Sequence, residues 1–173
     1  MYHVVYASLL CCCALLIYGD VLSLFDMYYN TTLVVRDGEW WRLVTSFCRG
    51  PVGTSPTSAY MSFRYYVALF AMTRLHRRWH VYVLAWLGCL VLGSTTGYTF
   101  FDDMFTTSMI TLWSRTHTTI RIGQVHARAR HIPLYLACSD YVLMRDLTPW
   151  TFGWLVGHAV ALYDRNEPLE TVL

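Results

Sequence analysis

The stretch Trp79–Phe101, WHVYVLAWLGCLVLGSTTGYTFF, contains no Asp, Glu, Lys or Arg. A hydrocarbon core is ~30 Å thick, so a helix needs about 20 apolar residues to cross it, and this stretch suffices. Val4–Phe25 is the second such run, with Asp20 as its only charge. It lacks the basic flank of a cleaved leader and reads as a first transmembrane helix. Four further runs are apolar but short or marked by polar residues: Ala59–Thr73, Met104–Trp113, Ile132–Met144 and Trp150–Tyr163. Hydropathy by itself defends two spans and suggests six.

Loop charges favour six. Arg74, Arg77 and Arg78 separate the second and third runs, with no acid among them. Arg115, Arg121, Arg128 and Arg130 separate the fourth and fifth, again without an acid. The first loop mixes both signs, and the third carries Asp102 and Asp103. With six spans the two basic loops share a side with both termini, and the positive-inside rule makes that side cytosolic. The expected architecture is therefore an all-α, polytopic six-helix bundle in a single domain over residues 1–173. Residues 26–58 form a first loop on the far, luminal side, and residues 164–173 a short cytosolic tail. The first loop holds Leu33-Val34-Val35, Trp40-Trp41 and Leu43-Val44, which predicts short helical structure lying in the interface.

Composition agrees. Of 173 residues, 55% are hydrophobic and 14% charged, against roughly 25% charged in an ordinary soluble domain. The seven Trp and thirteen Tyr suit a membrane–water boundary. A net charge of +2, scattered along the chain, excludes nucleic acid as a partner. All 13 basic residues are Arg. Genome base composition explains this most simply; the alternative is selection for a chain that offers no acceptor amine. The six Cys form no CxxC, and Cys11-Cys12-Cys13 are adjacent within an apolar run, so they read as small hydrophobes with S-acylation as a minor alternative.

Charges inside the apolar runs are Asp20, Arg64, Asp140 and Arg145. An intramembrane ionisable group is a functional candidate by default, and pairing within the bundle is its bland explanation. Arg145, near a helix end, reads as snorkelling. Arg64 and Asp140, in short helices near water, are the stronger candidates. His76 and His80 stand at helical i, i+4 spacing but have no acid beside them in an Arg-rich loop, so no metal site is expected. No cofactor is indicated. Asn30-Thr31-Thr32 is a glycosylation sequon placed too near the first span for modification.

Glu39-Trp40-Trp41-Arg42-Leu43-Val44-Thr45-Ser46-Phe47 is the most specific local pattern. Physically it is an interfacial anchor: Trp41 suits the headgroup zone, and Arg42 can bond phosphates or loop carbonyls. In order along the chain come Gly50-Pro51-Val52-Gly53, Phe63-Arg64-Tyr65, Leu112-Trp113-Ser114-Arg115, Pro133, Gly153-Trp154-Leu155-Val156-Gly157-His158 and Asn166-Glu167-Pro168. This succession resembles the Derlin family, rhomboid-like pseudoproteases of the endoplasmic reticulum. Gly153 and Gly157 lie four apart on one helix face, where two helices can approach closely.

The resemblance implies a multi-pass protein of the endoplasmic reticulum membrane that assists degradation of misfolded proteins. Its expected partners are misfolded substrates, a membrane ubiquitin ligase complex and a cytosolic AAA ATPase. It also implies a physical mechanism in which short, polar-marked helices thin the bilayer locally. Trp41, Arg42, Arg64 and Asp140 are the candidates for that role. Active rhomboids pair a His on the sixth helix with a Ser in Gly-x-Ser-Gly at the start of the fourth. Here that region reads Phe100-Phe101-Asp102-Asp103-Met104-Phe105, Ser108 lies deeper without flanking glycines, and His158 has no nucleophile to activate. The expectation is a non-enzyme. Departures from the family are the missing acidic pair after Arg64-Tyr65, Asp102-Asp103 in place of a Gly-containing turn, and a tail too short for direct ATPase binding. Two other classes remain open. An atypical rhomboid protease would label with a fluorophosphonate probe, and a structural or trafficking protein that binds transmembrane segments would purify without a ligase.

Overall fold

A computed structural model describes residues 2–49, 55–75, 79–117, 119–122 and 125–166. Gly50–Gly53, His76, Arg77, Arg78 and the tail beyond Asn166 therefore lie outside the described residues.

Long apolar runs leave backbone groups no partner in lipid except their own helix, and the described residues form six long helices accordingly. They are α1 (Tyr2–Tyr18), α5 (Pro56–Arg74), α6 (Trp79–Thr96), α7 (Asp102–Thr116), α8 (Ile132–Met144) and α9 (Thr148–Asn166). Among the described residues between α1 and α5 are three short helices: α2 (Leu24–Met27), α3 (Thr31–Val35) and α4 (Arg42–Thr45). The chain is a helical membrane bundle. By length and composition α6 can cross a bilayer, while Val4–Tyr18 is apolar but shorter.

The first apolar run is not one helix. Backbone bonds from Gly19 to Leu15 and from Asp20 to Ile17 close the end of α1, and Asp20 turns through φ 55°. Asp tolerates this left-handed conformation better than most residues. Ser23 then caps α2 in a capping box with Asp26. Asp20 thus sits in an exposed turn and is not an intrahelical charge. Asn30 likewise caps α3, its side-chain oxygen accepting from Thr32 N–H at 2.9 Å and Leu33 N–H at 3.4 Å. Beyond α7, Thr119–Ile122 (β1) pairs antiparallel with Val125–Arg128 (β2), from Thr119 opposite Arg128 to Ile122 opposite Val125. No element was expected there, yet Thr, Ile and Val recur, as strands prefer.

Contacts give the helices their directions. Gly153 of α9 meets Met104 and Thr107 of α7, Gly157 meets Ser108 and Thr111, and His158 meets Arg115, so α7 and α9 run parallel. Gly88 of α6 faces Val156, whereas His80 faces Asp164, so α6 and α9 run antiparallel. Helices four and six of an alternating bundle must be parallel and three and six antiparallel, as found. A Cβ at Gly157 would stand 2.6 Å from the Ser108 carbonyl oxygen, and one at Gly153 closer still to that of Met104. Only glycine permits that approach, which is the packing the Gly153/Gly157 spacing predicted.

The core is built around α7, whose residues from Met104 to Ser114 are all buried. The first loop plugs one end of it. Phe47 packs against Phe101, Phe105 and Trp86 at ring separations of 5.3, 5.7 and 5.8 Å. Tyr29 N–H donates to the Thr99 carbonyl (2.7 Å) and Phe101 N–H to that of Ser46 (3.0 Å).

Candidate functional site

The first turn of α7 is recessed. Tyr6, early in α1, donates to the Phe47 carbonyl (3.1 Å) and packs on Phe105 at 5.3 Å. The first loop leaves α1 only after Tyr18, three turns later, so Phe105 lies well down the length of α1 from its loop end. With 15 residues, α7 is about 22 Å long, and the 13-residue α8 about 20 Å, both short of the ~30 Å core.

A cluster of charges fills this recess. Arg64 of α5 is 4% exposed; its guanidinium lies 3.3 Å from Asp103 Oδ1 and 3.4 Å from Asp140 Oδ1. It also donates to the Asp103 carbonyl (2.5 Å) and to the Thr107 hydroxyl. Tyr60 donates to Asp140 Oδ1 at 2.8 Å, with the Leu136 carbonyl at 3.1 Å. Tyr65, next to Arg64, donates to Asp102. Arg49 of the first loop closes the cluster from outside, 3.4 Å from Asp102 and 3.1 Å from Asp103. Asp102 beside it holds Arg49 more firmly charged than usual.

The two intramembrane charges singled out in the sequence therefore belong to one site, on α5 and α8, and they pair with each other. The bland reading of Arg64 and Asp140 is half of the truth: neither is an isolated charge pulling water inward. What sequence reasoning missed is Asp102-Asp103, noted only as charges of the third loop and as a departure from the family. These residues supply carboxylates to Arg64-Tyr65 from α7, where an acidic pair directly after Arg64-Tyr65 is missing. The usable signal was two acids heading a short apolar helix.

The cluster has a dry end and a wetter end. Asp140 and Asp102 are buried, whereas the Arg49 side chain is 30% exposed and that of Asp103 19%. Arg64 Nε, Asp102 Oδ1 and Asp140 Oδ2 are buried without a hydrogen-bond partner among the described residues. Each such atom costs about 1–3 kcal/mol, and a buried ion cluster is poor evidence for stability. Groups kept at that cost call for another explanation.

Arg42 and Trp41 divide their tasks. Arg42 is buried, pairs with Glu39, donates to the Phe25 (2.7 Å) and Tyr28 (3.1 Å) carbonyls, and lies over the Tyr28 ring at 5.0 Å. Of the two roles open to it, bonding loop carbonyls is the one found. Trp40 and Trp41 are both exposed, pointing out of the loop. Arg145 caps α8 in a left-handed conformation, φ 56°.

His158 is committed elsewhere than to a serine. Its Nδ1 bonds the Trp154 carbonyl (3.0 Å), which makes Nε2 the acceptor for Arg115. Ser108 donates to the Phe105 carbonyl at 2.7 Å. His80 has an acidic neighbour after all, Asp164 at 3.3 Å. Residues 3–171 match a family model described as the Der1-like family.

Proposed function

The chain belongs to the Der1-like family, the family its motifs resemble, and from that premise we propose that it is a non-catalytic component of endoplasmic-reticulum-associated degradation. In this reading it assists misfolded proteins from the lumen, or from the membrane itself, back to the cytosol. The chain sits in the endoplasmic reticulum membrane with both termini cytosolic and residues 26–58 luminal. It works beside a membrane ubiquitin ligase complex and an AAA ATPase.

The observation that carries this is the recessed ion cluster at the head of α7. A polypeptide crossing hydrocarbon leaves peptide groups unsatisfied at several kcal/mol each. The cluster offers Arg49 and Asp103 at a partly exposed mouth, with Tyr60, Arg64 and Asp140 below. Short α7 and α8 reduce the thickness of hydrocarbon to be crossed by hydrophobic mismatch. Thinning is thus assigned to helix length and the recess, and the paired charges of Arg64 and Asp140 line the polar side of the passage. A proteolytic role is disfavoured by both nitrogens of His158 being engaged away from any serine.

Site-specific photocrosslinking tests this. A photoreactive residue at Phe100, which lies under Arg49 at 5.0 Å, should capture a luminal misfolded substrate in transit. One at the exposed Leu15 of α1 should capture lipid and little substrate. Equal substrate capture from both positions would contradict a passage at the α7 mouth.

A further inference from the structure

A second cavity opens at the opposite end of α7, and the ion cluster does not include it. It has a volume of about 360 Å³ and lies between the end of α7, the start of α8 and the middle of α9. Apart from Ser114, whose hydroxyl donates to the Thr111 carbonyl, its polar lining is cationic or imidazole: Arg115, Arg130, His131 and His158. Its walls are Trp150 and Trp154, stacked at 6.1 Å, and Leu134 stands at its edge, 59% exposed.

The two arginines are placed as anion receptors. Among the described residues, neither has a carboxylate within ion-pair distance. Arg115 instead donates to the imidazole of His158, which the Trp154 carbonyl holds in the Nδ1–H form. Arg130 Nε donates to His131 Nε2 at 3.4 Å. A neutral imidazole positions a guanidinium without neutralising it, so two full positive charges converge on one cavity. Guanidinium groups in a fixed fork match phosphate oxygens. Basic pockets between membrane helices suit lipid headgroups, and Trp rings prefer that depth.

We propose that this cavity binds a phosphate group, carried by an anionic membrane lipid. Arg115 and Arg130 hold the phosphate, His158 and His131 orient them, and an acyl chain leaves over Leu134. The exposed leucine favours lipid over a water-borne phosphate, because a free anion has no use for an apolar exit. The site does not rest on the retrotranslocation reading: it follows from the α7–α9 geometry whatever passes at the other end.

The test is lipid retention by the full chain purified in mild detergent, read by native mass spectrometry. Phosphatidic acid and phosphatidylcholine with the same acyl chains are the probes, and inorganic phosphate is the competitor. The wild type should retain phosphatidic acid at a concentration at least tenfold lower than Arg115→Gln/Arg130→Gln does. Both proteins should retain phosphatidylcholine equally weakly. Arg130→Gln alone leaves the Arg115–His158 contact intact and should still lose most of the preference, while Arg130→Lys should keep part of it. Equal retention of phosphatidic acid by wild type and Arg130→Gln would overturn the site. Displacement of phosphatidic acid by millimolar inorganic phosphate would overturn the lipid as its source.

Discussion

Replacing Arg64 by Leu removes the only cation paired with Asp140 among the described residues and strands that carboxylate. At an effective dielectric of ~20, each pair at 3.3–3.4 Å carries about 5 kcal/mol of attraction, most of it offset by desolvation. Taking away one partner of a buried pair leaves the other uncompensated, so Arg64→Leu should lose about 3–5 kcal/mol. For a chain of this size that lowers the unfolding midpoint by on the order of 10 °C. Arg64→Leu/Asp140→Leu removes both stranded charges while Asp103 keeps Arg49 at 3.1 Å. The double variant should therefore be more stable than Arg64→Leu alone, with a coupling energy of about 2 kcal/mol. The assay is a double-mutant cycle by thermal unfolding in mild detergent, following Trp fluorescence. Losses that add to within ~0.5 kcal/mol would refute a direct Arg64–Asp140 pair.

Other expectations follow from neighbouring geometry. Gly153→Ala should cost about 1–3 kcal/mol or more through overpacking on the α7 backbone, and unfolding in detergent would show it. Arg42→Ala should make the first loop sensitive to limited proteolysis by freeing the Phe25 and Tyr28 carbonyls, whereas Trp41→Ala should leave it resistant. Trp41→Ala/Arg42→Ala should slow substrate degradation more than Cys11→Ala/Cys12→Ala; equal half-lives would contradict that ranking. Asp146 accepts from Thr148 N–H at 2.9 Å and from Tyr98, and the backbone bond holds its carboxyl below the usual range. Its contribution to stability is full above the ordinary carboxylate pKa and fades as pH falls through the depressed one. Asp146→Asn should flatten the acid limb of a midpoint-against-pH curve below about pH 4.

Residue pattern made the long helices legible because a bilayer imposes one requirement, an apolar run with internally satisfied backbone. Ile132–Met144 was read to the residue, and the short helices of the first loop announced themselves by Leu33-Val34-Val35 and Trp40-Trp41. The break after Tyr18 was not legible, because hydropathy continues through Val21, Leu22 and Phe25 while a two-residue turn ends the helix. Arg64 and Asp140 were found one by one as misfits in apolar runs. Their pairing was not, since it depends on α5 and α8 meeting across 76 residues of chain. Asp102 and Asp103 were passed over for the same reason: assigned to the third loop, they join the cluster only because α7 starts at Asp102 and the first loop docks Arg49 on them.

In the proposed function the chain assists polypeptides across the membrane by presenting a polar recess, without cutting them. The most direct measurement is the degradation half-life of a luminal misfolded protein in cells whose only copy is Ser108→Ala or Arg64→Leu/Asp140→Leu, each at matched abundance. Ser108→Ala should match the wild type, and the charge-cluster variant should lengthen the half-life several-fold. A stalled Ser108→Ala beside a normal Arg64→Leu/Asp140→Leu would contradict the account and point to catalysis.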